Sequence, residues 1–123
     1  MQAIATDLTM SLPDDRPGTL AQALGAIAAA GINVEGFAEV DGTLHVLAAD
    51  PAAARRALEA AAVRITGEYP VAVVPLEERP GSAVAVLQKI ADARVNVRFA
   101  YLAGHNRLVI GASDMAKVAE IVA

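Results

Sequence analysis

The chain has 123 residues, 55% of them hydrophobic, and a formal net charge of −4 at pH 7. That length suits one ordinary domain or two small ones, and the negative charge argues against a nucleic-acid backbone as the partner. No apolar run reaches the roughly 18 residues of a membrane span, and the N-terminus lacks the basic start of a signal peptide. The absence of cysteine excludes disulfides and thiolate chemistry. We therefore expect a cytoplasmic protein without a nucleic-acid or membrane partner.

A four-residue motif occurs twice and organises the chain. The first copy is Asp15-Arg16-Pro17-Gly18, and the second is Glu78-Arg79-Pro80-Gly81, 63 positions later. Each copy follows alternating apolar residues and precedes an Ala/Leu-rich stretch with helical spacing. The similarity continues downstream, where the corresponding residues are Leu24 and Leu87, Ile27 and Ile90, and Asn33 and Asn96. The sequence therefore predicts two copies of one supersecondary unit.

Apolar periodicity and turn signals predict six elements in the first copy. They are a strand at 2–12, a helix that begins near Pro17 and ends at Gly31, strands at 33–40 and 43–48, a helix from Asp50 and a strand at 63–67. Asp41-Gly42 between the middle strands is a strong two-residue hairpin signal. Asp50 before Pro51 is typical of a helix N-cap. The order is therefore strand, helix, strand, strand, helix, strand.

The second copy repeats this order up to its second helix. Pro70 lacks a backbone N–H for a sheet and is predicted to separate the two copies. The elements that follow are a strand at 71–76, a helix at 81–93, strands at 95–102 and 107–112, and a helix at 114–122. No residues are left for a fourth strand in this copy.

A βαββαβ order predicts an antiparallel sheet with both helices on one face. The predicted fold class is therefore α+β, with two ferredoxin-like units at 1–68 and 69–123 in tandem, the second unit lacking its last strand. Exposed edge strands favour pairing with another copy, so we expect a homodimer.

Two features of the sequence resemble the ACT domain. An acid followed by Arg-Pro-Gly precedes the first helix, and Gly31-Ile32-Asn33-Val34 follows it. This family consists of small regulatory modules in phosphoglycerate dehydrogenase, aspartate kinase and similar enzymes of amino-acid pathways. The resemblance covers the whole chain as a tandem pair and leaves no residues for an attached catalytic domain. It implies a free-standing, allosteric regulatory protein.

The resemblance also implies that small amino acids bind where two modules meet. In the family, the contacts come from the loop before the first helix and from the Asn that begins the second strand. The matching positions are Pro13, Asp15 and Asn33 in the first copy, and Leu76, Glu78 and Asn96 in the second. The chain departs from the family at two of them: a His is replaced by Pro13 or Leu76, and an amide by Asp15 or Glu78.

The residues of both loops suit a zwitterionic ligand. Unpaired N–H groups at a helix N-terminus can receive a carboxylate, and an acidic side chain can bind an ammonium group. The candidate ligand-binding residues are Asp14, Asp15, Arg16, Gly18, Thr19, Leu20 and Asn33 in the first copy, and Glu78, Gly81, Ser82, Ala83 and Asn96 in the second. Without a cationic His, the site should favour neutral or basic amino acids. The shorter side chain of Asp15 makes the first copy the preferred site.

Each candidate also has a purely structural interpretation. Asp15 is an excellent N-cap for its own helix, and Asn33 can satisfy the backbone of a loop. Arg16 and Arg79 are typical solvated charges. The pair Asp14-Asp15 could hold a cation, but adjacent loop acids are usually just solvated.

No set of nucleophile, base and orienting residue is visible, so the sequence predicts neither an enzyme nor a cofactor or metal site. Two functional classes remain. In the first, the protein senses a free amino acid and regulates an enzyme of an amino-acid pathway or a transporter. In the second, it is an assembly module that holds subunits together and binds no ligand.

Overall fold

A computed structural model describes residues 3–123 and contains four helices and six strands within that range. In chain order they are β1 (Ala3–Ser11), α1 (Thr19–Ala29), β2 (Val34–Val40), β3 (Thr43–Ala48), α2 (Pro51–Ala60), β4 (Arg64–Pro75), α3 (Ser82–Asp92), β5 (Val97–Ala103), β6 (Arg107–Ala112) and α4 (Met115–Val122). Apart from β4, the predicted order of elements is confirmed. None of these helices is long and apolar enough to cross a bilayer.

β4 is one strand of 12 residues, so the predicted division at Pro70 is wrong. A proline removes only one N–H from a strand, and its fixed φ is compatible with extended backbone. Pro70 itself is exposed, and four buried residues follow it directly, from Val71 to Val74. The strand therefore continues through the proline into the core of the second copy.

The predicted fold class, two ferredoxin-like units with separate open sheets, is also wrong. The six strands form one closed barrel in the hydrogen-bonding order β1-β3-β2-β5-β6-β4. An open sheet leaves unpaired backbone groups along its two edge strands, whereas a closed barrel pairs them. Because a closed barrel has no edge strands, exposed edges no longer favour a homodimer.

The chain divides into two compact units. One unit is Thr6–Tyr69, and the other is Pro70–Ala123 together with residues 3–5 of β1. The beginning of β1 therefore belongs to the same unit as the second copy.

In the unit Thr6–Tyr69, β3 pairs antiparallel with both β1 and β2. The two helices cover one face of these strands. Ile27 of α1 and Leu58 of α2 are fully buried there, and Leu24 is half-buried against the same cluster. The buried residues of this core are Leu8, Met10, Leu12, Ala23, Ile27, Leu44, Val46, Ala48, Ala54 and Leu58.

In the unit that contains Pro70–Ala123, β6 pairs antiparallel with both β4 and β5. Ile90 of α3 and Val118 of α4 are fully buried, and Leu87 packs against them half-buried. The buried residues of this second core are Ala72, Val74, Ile90, Leu108, Ile110 and Val118. The predicted helix faces of both copies are therefore the faces that pack on the strands.

The helices begin in two different ways. Asp50 caps α2 by accepting a hydrogen bond from the Ala53 N–H at 3.1 Å. Asp114 caps α4 in the same way, by accepting a hydrogen bond from the Lys117 N–H at 3.0 Å. In contrast, α1 and α3 begin after Gly18 and Gly81, and neither has a side-chain cap. The N-termini that follow the repeated motif are thus the two that are left uncapped.

Candidate functional site

The loop before α1 lies beside the hairpin that joins β2 and β3. Ser11 at the end of β1 is paired with Thr43 at the start of β3, and the Leu12 N–H donates to the Gly42 carbonyl at 2.7 Å. Antiparallel pairing therefore brings the Arg-Pro-Gly loop of the first copy to the turn of the hairpin.

A cleft of about 440 Å³ lies between this loop and this hairpin, and we call it the loop–hairpin cleft. All its residues belong to the unit Thr6–Tyr69. They are Leu12, Pro13, Asp14, Arg16, Pro17, Gly18, Thr19, Leu20, Glu39, Asp41 and Gly42. The cleft therefore contains five of the seven residues predicted for the first copy.

The first turn of α1 forms one wall of the cleft. Gly18 precedes the helix with φ of 89°, in the left-handed region where glycine is unstrained. The first bond within the helix runs from the Gln22 N–H to the Gly18 carbonyl at 2.9 Å. The N–H groups of Thr19 and Leu20 come before it and have no partner within the helix. The Thr19 hydroxyl donates to the Pro13 carbonyl at 3.2 Å, which ties this turn to the loop.

Asp15 does not have the role of N-cap. Gly18 occupies that position, and α1 has no side-chain cap. The Asp15 carboxylate instead lies 3.5 Å from the Arg16 guanidinium, and both side chains are mostly exposed. Asp14, not Asp15, lines the cleft. The loop acid that lines the cleft is therefore the neighbour of the one that the sequence favoured.

The hairpin wall was missed in the sequence analysis. Glu39 and Asp41 line the cleft opposite α1, and one oxygen of Glu39 accepts the Gly42 N–H at 2.7 Å. The hairpin itself was predicted from Asp41-Gly42. Antiparallel pairing of β1 and β3 places this hairpin beside the loop. The position of the hairpin wall could therefore have been predicted from the sequence.

Asn33 does not join the cleft within its own unit. β1 and β2 are both antiparallel to β3 and hence parallel to each other. Because α1 returns the chain to the start of the sheet, β2 begins at the end opposite to the Arg-Pro-Gly loop. The length of β2 separates the two ends by about 20 Å. The Asn33 carbonyl accepts the Ala49 N–H at 3.0 Å, and its side chain is exposed.

The second copy has a glycine at the corresponding position, but the loop before it forms hydrogen bonds within itself. Gly81 has φ of 85° and precedes α3 without a side-chain cap. The Arg79 guanidinium donates to Glu77 at 2.6 Å, and the Ser82 N–H reaches the Arg79 carbonyl at 3.4 Å. Glu78 is exposed, and Ala83 packs against the core. One of the helix-terminal amides is thus already engaged by the loop itself.

The hairpin of the second copy also differs from that of the first. The Leu76 N–H donates to the Asn106 carbonyl at 2.9 Å, and the Asn106 amide donates back to the Leu76 carbonyl at 3.1 Å. Leu76 therefore corresponds to Leu12 rather than to Pro13, as its packing in the core also indicates. The loop after Leu76 is then one residue shorter than the loop after Leu12, and the hairpin turn is one residue longer. Asn96 resembles Asn33 in its backbone contact. Its carbonyl accepts a hydrogen bond at 3.1 Å from the N–H of Ser113, which follows the third strand of its copy.

A buried polar cluster lies on the other face of the same unit. Asp7 is fully buried, and it accepts a hydrogen bond from the Thr9 hydroxyl at 2.6 Å. His45 Nδ1 lies 3.0 Å from Thr9 Oγ1 and 3.2 Å from Asp7 Oδ1. Because the only hydroxyl proton of Thr9 is donated to Asp7, the hydroxyl accepts from Nδ1, which therefore carries a proton. Within the described residues, no group of three or more His, Cys, Asp and Glu residues could hold a metal ion.

No protein-family model and no curated protein matches the chain. Among solved structures, a protein from Bacteroides thetaiotaomicron is 25% identical with a TM-score of 0.83, over 98% of this chain and 87% of that one. The ligand-free regulatory subunit of aspartate kinase from Thermus thermophilus is 20% identical with a TM-score of 0.64, over 98% and 90% of the two chains.

Aspartokinase III from E. coli, in complex with lysine and aspartate, has a TM-score of 0.63 at 14% identity. The match covers 98% of this chain and 30% of that one. These similarities show that the chain shares its fold with the regulatory subunit of an aspartate kinase.

Proposed function

We propose that the chain is a non-catalytic regulatory protein that binds a free amino acid in the loop–hairpin cleft. One observation carries the proposal: an open cleft of about 440 Å³ has an uncapped helix N-terminus on one wall and carboxylates on the other. These two walls complement the two ends of a zwitterion. The volume lies within the roughly 300–1,000 Å³ that is typical of small-molecule sites.

The carboxylate of the ligand binds at the start of α1. The N–H groups of Thr19 and Leu20 point out of the helix end, where the macrodipole contributes a partial positive charge. Gly18 has no side chain, and a Cβ at this position would meet no atom within 4 Å. The approach to these amides is therefore open. Arg16 lines the same cleft and adds a positive charge.

The ammonium group of the ligand binds at the hairpin. Glu39 keeps one carboxylate oxygen on the Gly42 N–H, and the other oxygen is left for a ligand. Asp41 and Asp14 add two further carboxylates to the cleft. Acidic side chains thus outnumber the single arginine, so a ligand with an additional negative charge is disfavoured. Neutral or basic amino acids are the preferred class.

The comparisons support a regulatory role. The Thermus thermophilus protein is itself a regulatory subunit, and the E. coli enzyme is in complex with lysine and aspartate. By analogy, the partner that this chain regulates is an enzyme of an amino-acid pathway or a transporter. We propose in addition that the chain acts in the cytoplasm as a homodimer, and sedimentation equilibrium tests the second point.

Isothermal titration calorimetry of the full chain with each of the twenty amino acids tests the proposal. Saturable binding of a neutral or basic amino acid is expected. Glu39→Gln removes the charge that faces the ammonium group, so it should weaken binding by about tenfold or more. Glu78→Gln in the second copy is the matched control and should bind like the parent. If the parent binds none of the twenty, the proposal is wrong.

The alternative is an assembly module without a ligand. The replacement of the family's His by Pro13, and the absence of Asn33 from the cleft of its own unit, favour this alternative. A protein that sediments as a stable dimer and shows no heat of binding for any amino acid would establish it.

A further inference from the structure

A second, smaller cleft lies next to the loop–hairpin cleft, and we call it the arginine cleft. It lies where β1 ends, α1 begins, α2 has ended and β4 begins, and its volume is about 140 Å³. Its residues are Ser11, Leu12, Pro13, Arg16, Thr19, Gln22, Ala61, Ala62, Val63 and Arg64. All of them belong to the unit Thr6–Tyr69.

The charge of this cleft is opposite to that of its neighbour. Two arginines, Arg16 and Arg64, line it, and no carboxylate does. Ser11, Thr19 and Gln22 supply hydroxyl and amide groups that can donate hydrogen bonds. The loop–hairpin cleft has three acids and one arginine. Of the two clefts, the arginine cleft therefore has the composition that suits an anion without a cationic group of its own.

Both guanidinium groups can turn toward a ligand. Arg16 is 55% exposed, and its contact with Asp15 is a long surface ion pair of 3.5 Å, which is weak in water. Arg64 is exposed. Neither side chain would have to give up a buried partner to bind an anion.

One feature of the cleft opposes an anion. Ala61 and Ala62 follow the last turn of α2, whose carbonyl groups form the negative end of the helix dipole. These carbonyls attract the arginines, but they repel an anion only through partial charges. Two full positive charges outweigh them, because a guanidinium binds an oxyanion through charge-assisted hydrogen bonds.

We propose that the arginine cleft binds a small oxyanion of the phosphate or sulfate type. The volume of about 140 Å³ is large enough for one tetrahedral oxyanion. A phosphate monoester fits if its organic part stays in solvent. This proposal does not depend on amino-acid binding, and its test contains no amino acid.

The test is a titration of the full chain with inorganic phosphate, followed by ³¹P NMR line broadening, at constant ionic strength set with sodium chloride. The parent is expected to show saturable binding in the millimolar range. Arg64→Gln, which lies outside the loop–hairpin cleft, should weaken binding by about tenfold. Arg79→Gln is the matched control, because Arg79 has the same motif position as Arg16 but lies in the second copy.

A parallel titration with a phosphate monoester distinguishes the source of the anion. Equal affinity for the two compounds supports a site for the phosphate group alone, and tighter binding of the monoester supports a site that also contacts its organic part. The proposal is wrong if the parent shows no saturable binding, or if Arg64→Gln and Arg79→Gln weaken binding equally. Circular dichroism of each variant establishes that it is folded.

Discussion

The backbone N–H of Leu12 donates to the carbonyl of Gly42 at 2.7 Å, and this bond joins the end of β1 to the β2–β3 hairpin. It fixes the distance between the two walls of the loop–hairpin cleft. In the second copy, the same bond from Leu76 to Asn106 is accompanied by a second one from the Asn106 side chain. Both copies thus have this backbone hydrogen bond, but they differ in the space between the loop and the hairpin.

Gly42→Ala should destabilise the protein by about 1 kcal/mol, because Gly42 has φ of 86°, where an L side chain is strained. Its Cβ would also lie 3.4 Å from the Leu12 carbonyl. Gly25→Ala is the matched control: Gly25 lies within α1, its Cβ would meet nothing within 4 Å, and alanine there should stabilise by roughly 0.5–1 kcal/mol. Urea denaturation measures the change in unfolding free energy for both variants. If both substitutions change it in the same direction, the interpretation of Gly42 is wrong.

Asp7 and His45 should be strongly coupled. His45→Val removes one hydrogen-bond partner of the buried Asp7, and the Thr9 hydroxyl remains, so the variant should lose about 1–3 kcal/mol of unfolding free energy. The positions in the second copy that correspond to Asp7, Thr9 and His45 are the buried Val71, Val73 and Val109. The double variant Asp7→Val/His45→Val should therefore be more stable than His45→Val alone.

Chemical denaturation of the two single variants and the double variant gives the coupling directly. A double variant whose loss equals the sum of the single losses would show that the pair is not a unit.

Gly111→Ala should destabilise the second copy by about 1–3 kcal/mol. Gly111 is paired with Phe99 across β5 and β6, and a Cβ on Gly111 would overlap the Phe99 ring. In a Phe99→Ala background, the same substitution should cost less because the ring is gone. Thermal unfolding of the four proteins tests this prediction, and an equal loss in both backgrounds would count against it.

The sequence was sufficient for the local structure of the chain but not for its closure. Periodicity, the N-cap Asp50 and the Asp41-Gly42 turn predicted most elements, because caps and turns depend on neighbouring residues. Closure into a barrel depends on pairing between distant strands, which periodicity does not encode. The same limit explains the error at Pro70, where the extended strand tolerated the missing N–H.

For the candidate site, the sequence predicted only one of the two walls of the loop–hairpin cleft. The helix N-terminus after the Arg-Pro-Gly motif was predicted as a carboxylate site, whereas Glu39 and Asp41 required the register of β1 against β3. Asn33 lies outside the cleft of its unit because the helix between two parallel strands returns the chain to the starting end of the sheet. Strand direction, rather than residue type, decided which side chains share the cleft.

The most direct test of the central claim compares Gly18→Val with Gly81→Val. Both glycines have φ near 85–90° and open space around a Cβ, so the two variants carry similar backbone strain, and circular dichroism can establish that both are folded. Only Gly18 lies in the loop–hairpin cleft, where a branched side chain would cover the amides of Thr19 and Leu20. In calorimetric titrations with the amino acid that the parent binds, Gly18→Val should lose at least about tenfold in affinity, and Gly81→Val should bind like the parent. If folded Gly18→Val binds the amino acid as tightly as the parent does, the ligand site is not at the start of α1.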